Sequence, residues 1–261
     1  MTAAGVRLRD TEFAVFKPAG DSPQGGAALV WAHGWGQNHA AMLPLAEATR
    51  RHGRSLLLDL PGFGASPAPP AAWGTADYAD AAAQWLGGVA AERRIWIGYS
   101  FGGRVGIQLA ARHPDLLDGL CLIATPGLPR RRSALERARY TARRWVFRAA
   151  RALTPEGPAR DRLRDRFGSA DYRNAGPVLR PILIKAVNES LGDAARAVRC
   201  PSLLIYGDRD DDATADIGER FHAMMPGSRL VVLRGFGHLD LVTEGRHQIV
   251  QLLSEFLEQV A

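Results

Sequence analysis

A chain of 261 residues, 46% hydrophobic and 23% charged, can bury a large core, and its composition excludes a disordered or fibrous protein. Its formal net charge of +6 is carried almost wholly by arginine, with Lys17 and Lys185 the two lysines, and does not by itself point to a nucleic-acid partner. No apolar run reaches the roughly 18 residues of a membrane span, and Met1 to Asp10 lacks the apolar core of a secretory signal, so the expectation is a cytoplasmic protein without a membrane span.

Val6-Arg7-Leu8 and Phe13 to Phe16 read as two short strands of an edge hairpin. After the turn residues of 20–26, Ala27 to Ala32 is a continuous apolar run, as expected of a strand covered on both faces, and it ends in His33-Gly34-Trp35-Gly36. Asn38 is a suitable N-cap for a helix carrying Met42, Leu45 and Ala46 and closed by Gly53. Ser55 to Leu58 is the next strand. It runs into Asp59-Leu60-Pro61-Gly62-Phe63-Gly64-Ala65-Ser66, which Pro and Gly force to be a loop. A helix over 75–89 precedes the strand Ile95-Trp96-Ile97, the turn Gly98-Tyr99-Ser100-Phe101-Gly102 and an apolar helix stopped by Pro114. Gly119 to Ala124 is a further strand. The alternation of strands and helices predicts an α/β fold with a mainly parallel sheet flanked by helices.

The rhythm breaks at Leu128. Residues 128–166 hold 13 Arg against Glu136, Glu156, Asp161 and Asp165, a local net charge of +9, which leaves −3 on the remainder. Ser133-Ala134-Leu135-Glu136 fits a capping box opening a helix to about Leu153, and further helices are expected at 159–167 and 176–191. We read 128–191 as a helical insertion, a lid over the carboxyl ends of the strands. The alternation resumes with a strand over 202–206, the loop Gly207 to Asp212, a helix over 213–225, a strand over 229–233, the loop Arg234 to His238 and an amphipathic helix over 244–260. Cys121 and Cys200 lie far apart in apolar surroundings, as expected of buried reduced thiols.

Polar residues thus collect at the carboxyl ends of separate strands, where open α/β sheets bind ligands. Ser100 sits on a strand–turn–helix corner that pushes its hydroxyl clear of the backbone. A serine hydroxyl attacks poorly until a base takes its proton, and an imidazole base needs an acceptor on its other nitrogen. His238 and an Asp of 208–212 supply these groups in the order Ser, Asp, His. Ser66 and Ser133 sit in turn and capping contexts. His39, His52, His113, His222 and His247 lie on or beside expected helices as ordinary solvated residues. Asp208, Asp210, Asp211 and Asp212 crowd one loop and stay open as the acid at this point.

Together these stretches resemble the α/β-hydrolase fold superfamily, in its serine-nucleophile branch with a helical lid, over nearly the whole chain. His33 to Gly36 resembles its oxyanion loop, Asp59 to Ser66 its DxxGxGxS loop, Gly98 to Gly102 its nucleophile elbow, Gly207 to Asp210 its acid loop and Gly237-His238 its histidine loop. The resemblance implies a core of 1–127 and 192–261 with 128–191 as lid. It implies Ser100 as nucleophile, His238 as base and, through its Gly-x-x-Asp spacing, Asp210 as acid. The backbone N–H groups of Trp35 and Phe101 become the oxyanion hole, and no cofactor or metal is implied. His33, Phe63, Tyr99, Tyr140, Trp145 and Phe147 are the candidate pocket residues.

A serine at the elbow excludes the carboxylate-nucleophile chemistry of dehalogenases and epoxide hydrolases. The expected activity is hydrolysis of a small-molecule carboxylic ester with an apolar acyl group. Other readings are a C–C bond hydrolase, a non-enzymatic small-molecule receptor, and a hydrolase acting on an anionic or carrier-bound ester. For the last, His33 to Gly36 with the arginine-rich lid resembles the esterases that demethylate a pimeloyl chain on acyl carrier protein, with an acidic carrier docking on the lid, although the elbow Gly-Tyr-Ser-Phe-Gly departs from theirs.

Overall fold

The computed structural model of the protein describes residues 3–8, 11–18, 26–131, 134–154, 157 and 170–260. Its strands are β1 (Ala3–Leu8), β2 (Thr11–Phe16), β3 (Ala27–Ala32), β4 (Arg54–Asp59), β5 (Arg93–Tyr99), β6 (Gly119–Ile123), β7 (Ser202–Gly207) and β8 (Ser228–Leu233). They form one eight-stranded sheet in the order β1-β2-β4-β3-β5-β6-β7-β8. The hairpin β1–β2 is antiparallel and β2 pairs antiparallel with β4, while every pairing from β4 across to β8 is parallel. β3 is buried at every residue and β5 from Ile95 onward, because helices cover both faces; β8, at the edge, is only partly buried.

The helices are α1 (Leu43–Ala48), α2 (Thr75–Leu86), α3 (Phe101–Arg112), α4 (Ala134–Leu153), α5 (Ala170–Asn174), α6 (Leu179–Asn188), α7 (Gly192–Ala197), α8 (Ala215–Met224) and α9 (Arg246–Val260). Asn38 caps as expected, its side chain accepting from the Ala40 N–H, but it caps a short 3₁₀ turn (His39–Ala41) rather than one long helix. Regular helix is confined to Leu43–Ala48, and Thr49, whose Oγ1 donates back to the Leu45 carbonyl at 2.9 Å, leads into a second 3₁₀ turn. The helix expected over 75–89 stops at Leu86 ahead of Gly87 and Gly88. The helix expected over 176–191 is α6, trimmed to Leu179–Asn188, and α7 follows beyond its expected end. The helix expected at 159–167, the capping Ser133 and the Asp10 end of the first hairpin turn lie outside the described residues. Cys121 is buried and Cys200 half-buried, both as free thiols.

Two tryptophans tie the core to its polar skeleton. Trp31 donates its indole N–H to Ser55 Oγ at 3.1 Å, and Trp96 donates to the Gly102 carbonyl at 2.9 Å, so each buried ring keeps a hydrogen bond. The parallel register aligns Ala32 with Gly98, Tyr99 with Ile123, Ile123 with Ile205 and Gly207 with Leu233. The loops that follow β3, β5, β6, β7 and β8 therefore leave the sheet along one edge.

Candidate active site

The corner after β5 is held by contacts that leave no room for side chains. Ser100 has φ of 49°, an unusual backbone conformation for a non-glycine residue, and it leads directly into α3. A Cβ on Gly98 would meet the Gly102 backbone at 2.5 Å, and one on Gly102 would run into the Ala32 carbonyl of β3. The glycines thus let α3 start against the strand ends, with Gly102 N–H donating to the His33 carbonyl at 3.0 Å.

His238 must reach Ser100 from β8, three strands from β5 and so about 14 Å across the sheet. The loop after β8 folds back to do this. Arg209 N–H donates to the Phe236 carbonyl at 3.1 Å, Gly235 N–H to Asp208 Oδ1 at 2.7 Å, and Tyr99 Oη to the His238 carbonyl at 3.1 Å. The result is a hydrogen-bonded chain: His238 Nε2 lies 3.0 Å from Ser100 Oγ, and His238 Nδ1 lies 2.7 Å from Asp210 Oδ2.

The four crowded aspartates separate by contact. Asp210, 4% exposed, accepts from the N–H groups of Asp212 and Ala213 on Oδ1, each at 2.8 Å, and turns Oδ2 to His238. Asp208 is used on Gly235, and exposed Asp211 lies 3.7 Å from Arg130. Ligand atoms of Asp210, Asp212 and His238 lie within 4.8 Å of one another, but the Asp210 and His238 atoms already serve these bonds.

On the other side of Ser100, Trp35 and Phe101 line the same cleft, and neither backbone N–H has a hydrogen-bond acceptor among the described residues. The loop carrying Trp35 is braced by Gln37, whose Oε1 accepts from the Gly34 N–H at 3.1 Å.

His33 is not a wall of the cleft. It is fully buried, accepts the Leu60 N–H on Nε2 at 3.1 Å and donates from Nδ1 to the Gly34 carbonyl at 2.7 Å. That carbonyl belongs to the peptide whose other end is the Trp35 N–H, so His33 fixes the orientation of this N–H. Burial pushes the imidazole down to about 4, and it is neutral at physiological pH.

Phe63 also lies beneath the cleft, in edge contact with Trp35 at 4.9 Å between ring centroids and tilted against Phe101 at 6.0 Å, where it supports the loop instead of lining the cleft. Trp145 is 66% exposed with Arg148 over its ring, and neither it nor half-buried Phe147 is among the residues that line the cleft. The Tyr140 side chain lies outside the described residues. Of the six expected pocket residues, Tyr99 lines the cleft.

The cleft measures about 720 Å³. Its apolar wall comes from Leu128, Leu183, Val187, Ile217 and Leu239, and its polar wall includes Arg104, Asp171 and Glu189. Burial pushes the Asp171 carboxyl up, and the charge of nearby Asp212 adds to this. Arg104 escaped the sequence reading; the signal available was a cation four residues after Ser100, set among the Phe, Gly, Val and Ile of 101–107. A second cleft, of about 860 Å³ at the far end of α3, is lined by Asp80, Arg112 and His113, which pair with one another and carry no nucleophile.

Comparison with known proteins agrees with this architecture. Residues 29–252 match the alpha/beta hydrolase family. The chain is 29% identical, over 250 residues, to a pimeloyl-[acyl-carrier protein] methyl ester esterase of Chromobacterium violaceum, covering 90% of this chain and 96% of that protein. Among solved structures it resembles a membrane phospholipase A described as a bacterial virulence factor, at 25% identity and a TM-score of 0.75 over 99% of this chain and 86% of that one. It also shares the fold of an esterase from Thermogutta terrifontis, at 22% identity and a TM-score of 0.70 over 100% of this chain and 99% of that one. With the sheet order, the elbow at Ser100 and a family match over most of its length, the chain belongs to the alpha/beta hydrolase family.

Proposed function

We propose that the protein is a carboxylic ester hydrolase that works through an acyl-Ser100 intermediate, with Ser100 as nucleophile, His238 as base and Asp210 as acid. The observation that carries this reading is the hydrogen-bonded chain from Ser100 Oγ through His238 to Asp210, at 3.0 and 2.7 Å, opening onto the cleft. Asp210 keeps the proton of His238 on Nδ1, so that the Nε2 lone pair faces Ser100.

As Ser100 Oγ bonds to the ester carbonyl carbon, its proton passes to His238 Nε2 and the carbonyl oxygen becomes an oxyanion between the N–H groups of Trp35 and Phe101. Collapse breaks the bond to the alkoxy group, which leaves with the proton from His238. A water then gives a proton to His238 and its oxygen to the acyl carbon. The second collapse releases the acid and returns the proton to Ser100. The net reaction consumes one ester and one water and yields one acid and one alcohol. Apolar Leu128, Leu183, Val187, Ile217 and Leu239 favour an apolar acyl chain. The segment 128–191 acts as a lid, since Asp171 and residues 186–190 close one side of the cleft.

A fluorophosphonate and a p-nitrophenyl ester series from acetyl to octanoyl test this. Stoichiometric labelling of Ser100 and a burst of nitrophenol are expected; a protein that turns over none of the series sinks the reading.

A second reading, a methyl ester esterase acting on a carrier-bound chain, is favoured by one observation: α4 presents exposed Arg139 and Arg148 beside exposed Trp145. The pimeloyl carrier esterase relative is consistent with it. Arg130 and Arg131 belong less to such a surface, because they reach Asp211 and Asp216 of the core.

A further inference from the structure

Arg104 stands out among the cationic side chains of the cleft. It is 5% exposed, begins one turn of α3 beyond Ser100 and lines the cleft wall with Gly127, Leu128 and Ala186. One terminal nitrogen, Nη2, donates to the Ala186 carbonyl of α6, while the other, Nη1, is shut off from solvent beside Gly127 and has no acceptor among the described residues, so an anion in the cleft reaches the guanidinium only with a small shift of that wall. No carboxylate lies within ion-pairing distance of it among those residues. Glu189, the nearest acid to influence it, is engaged by Thr75 Oγ1 and Gln108 Nε2. Burial outweighs Glu189 and pushes the guanidinium down to about 10, which leaves it charged at neutral pH.

A buried charge without a partner is costly, and so is a buried N–H without an acceptor. Such a group on the wall of a cleft is stabilised when a ligand brings an anion to it. A guanidinium fits a carboxylate best, because its fork of N–H donors matches two oxygens. The acids of the cleft do not stand in for that ligand: Asp211 and Asp212 follow β7 near His238, and Arg130 already reaches Asp211. The four residues from Ser100 to Arg104 rise about 6 Å along the helix axis, so the anion would sit a few bonds from a carbonyl at Ser100.

We propose that Arg104 is a specificity-determining residue that receives a carboxylate on the substrate, so that the substrate class is an ester whose acyl chain ends in a free carboxylate, such as a monoester of a short dicarboxylic acid. This rests on the reading of Ser100 as the nucleophile of an ester hydrolase and narrows it. It also parts from the carrier-bound reading, in which both ends of the acyl chain are masked.

The test pairs monomethyl succinate, glutarate and adipate with methyl butanoate, pentanoate and hexanoate, each pair matched in chain length. Wild-type protein is expected to show kcat/KM at least ten-fold higher for one carboxylate-bearing ester than for its neutral partner. Arg104→Gln is expected to lose at least ten-fold more on that ester than on the neutral one, and Arg104→Lys to recover part of the loss. Binding is read separately on Ser100→Ala protein by thermal shift with the same monomethyl esters, so turnover is not needed. Stabilisation of Ser100→Ala that vanishes in Ser100→Ala/Arg104→Gln supports the inference even if wild-type protein hydrolyses nothing, in which case the esterase reading alone falls. Neutral esters preferred by wild type, with no stabilisation by any carboxylate, overturn it. An equal loss on both members of a pair in folded Arg104→Gln also overturns it, since that marks a clamp from α3 to Ala186. Should Arg104→Gln fail to fold, wild-type preference and Ser100→Ala binding decide.

Discussion

Ser100, His238 and Asp210 form one unit only because the loop of His238 is held over the strand ends, and Tyr99 is one of the ties. Its hydroxyl donates to the His238 carbonyl at 3.1 Å. Burial pushes the phenol far above its ordinary value, so it stays a donor across the working pH range. On the proposed mechanism Ser100→Ala is expected to lower kcat by roughly 10⁴-fold or more, since His238 then has no nucleophile to activate, while Tyr99→Phe should lower it by only about five-fold, the worth of one hydrogen bond of about 1 kcal/mol. Steady-state kinetics on the best p-nitrophenyl ester separates the two effects.

His33 gives a prediction in pH. Its imidazole is held near 4 in the folded protein against 6.5 ordinarily, so between these values the unfolded chain binds the proton that the folded one refuses. The contribution is complete above about pH 6.5 and is lost as pH falls towards 4, a span worth about 3 kcal/mol. Calorimetric melting from pH 7 to 4.5 should show a falling Tm, with a shallower slope in His33→Asn. The residues at strand ends were legible in the sequence because turn motifs mark them. The choice of Asp210 among four neighbours, and the burial of His33 and Phe63, depend on hydrogen bonds and ring contacts between loops far apart in the chain, and these leave no local pattern.

At the scale of elements, the joint between β5 and α3 carries the site. The Gly102 position lies against the Ala32 carbonyl, and adding a methyl group there must push α3 away from β3 or distort the turn. Gly102→Ala is therefore expected to cost about 1–3 kcal/mol in stability by urea unfolding, and to reduce kcat beyond that, because the same shift moves the Phe101 N–H. A variant with wild-type kcat would show that the elbow tolerates the displacement. Strands were the easiest elements to read, since both-face burial writes them as apolar runs such as Ala27 to Ala32. Helix ends were harder. The segment after Asn38 holds apolar residues at helical spacing, yet its side-chain-to-backbone bond at Thr49 and its 3₁₀ turns cut the regular helix to Leu43–Ala48. The end of α6 at Asn188 was likewise unmarked, because apolar Leu191 beyond it packs into the same core as Ile182 and Ala186 of α6 do.

For the whole molecule the governing feature is charge asymmetry: residues 128–166 carry +9 and the rest −3, from a total of +6. Exposed charges act at long range and are screened within about 8 Å at physiological salt, so such a segment steers an acidic macromolecule far more than a small ester. If the carrier-bound reading holds, raising salt from 0.05 to 0.5 M should lower kcat/KM for a methyl ester on an acidic acyl carrier protein by ten-fold or more, chiefly through association. The same change should alter hydrolysis of a p-nitrophenyl ester by less than about two-fold. Arg139→Ser with Arg148→Ser should reproduce part of the salt effect at low salt, since both side chains are exposed on α4 and Ser100 is untouched. Equal salt dependence for the carrier-linked and free esters would instead make α4 an ordinary solvated helix face, and the chemistry of the cleft, with Arg104 in its wall, would then set specificity.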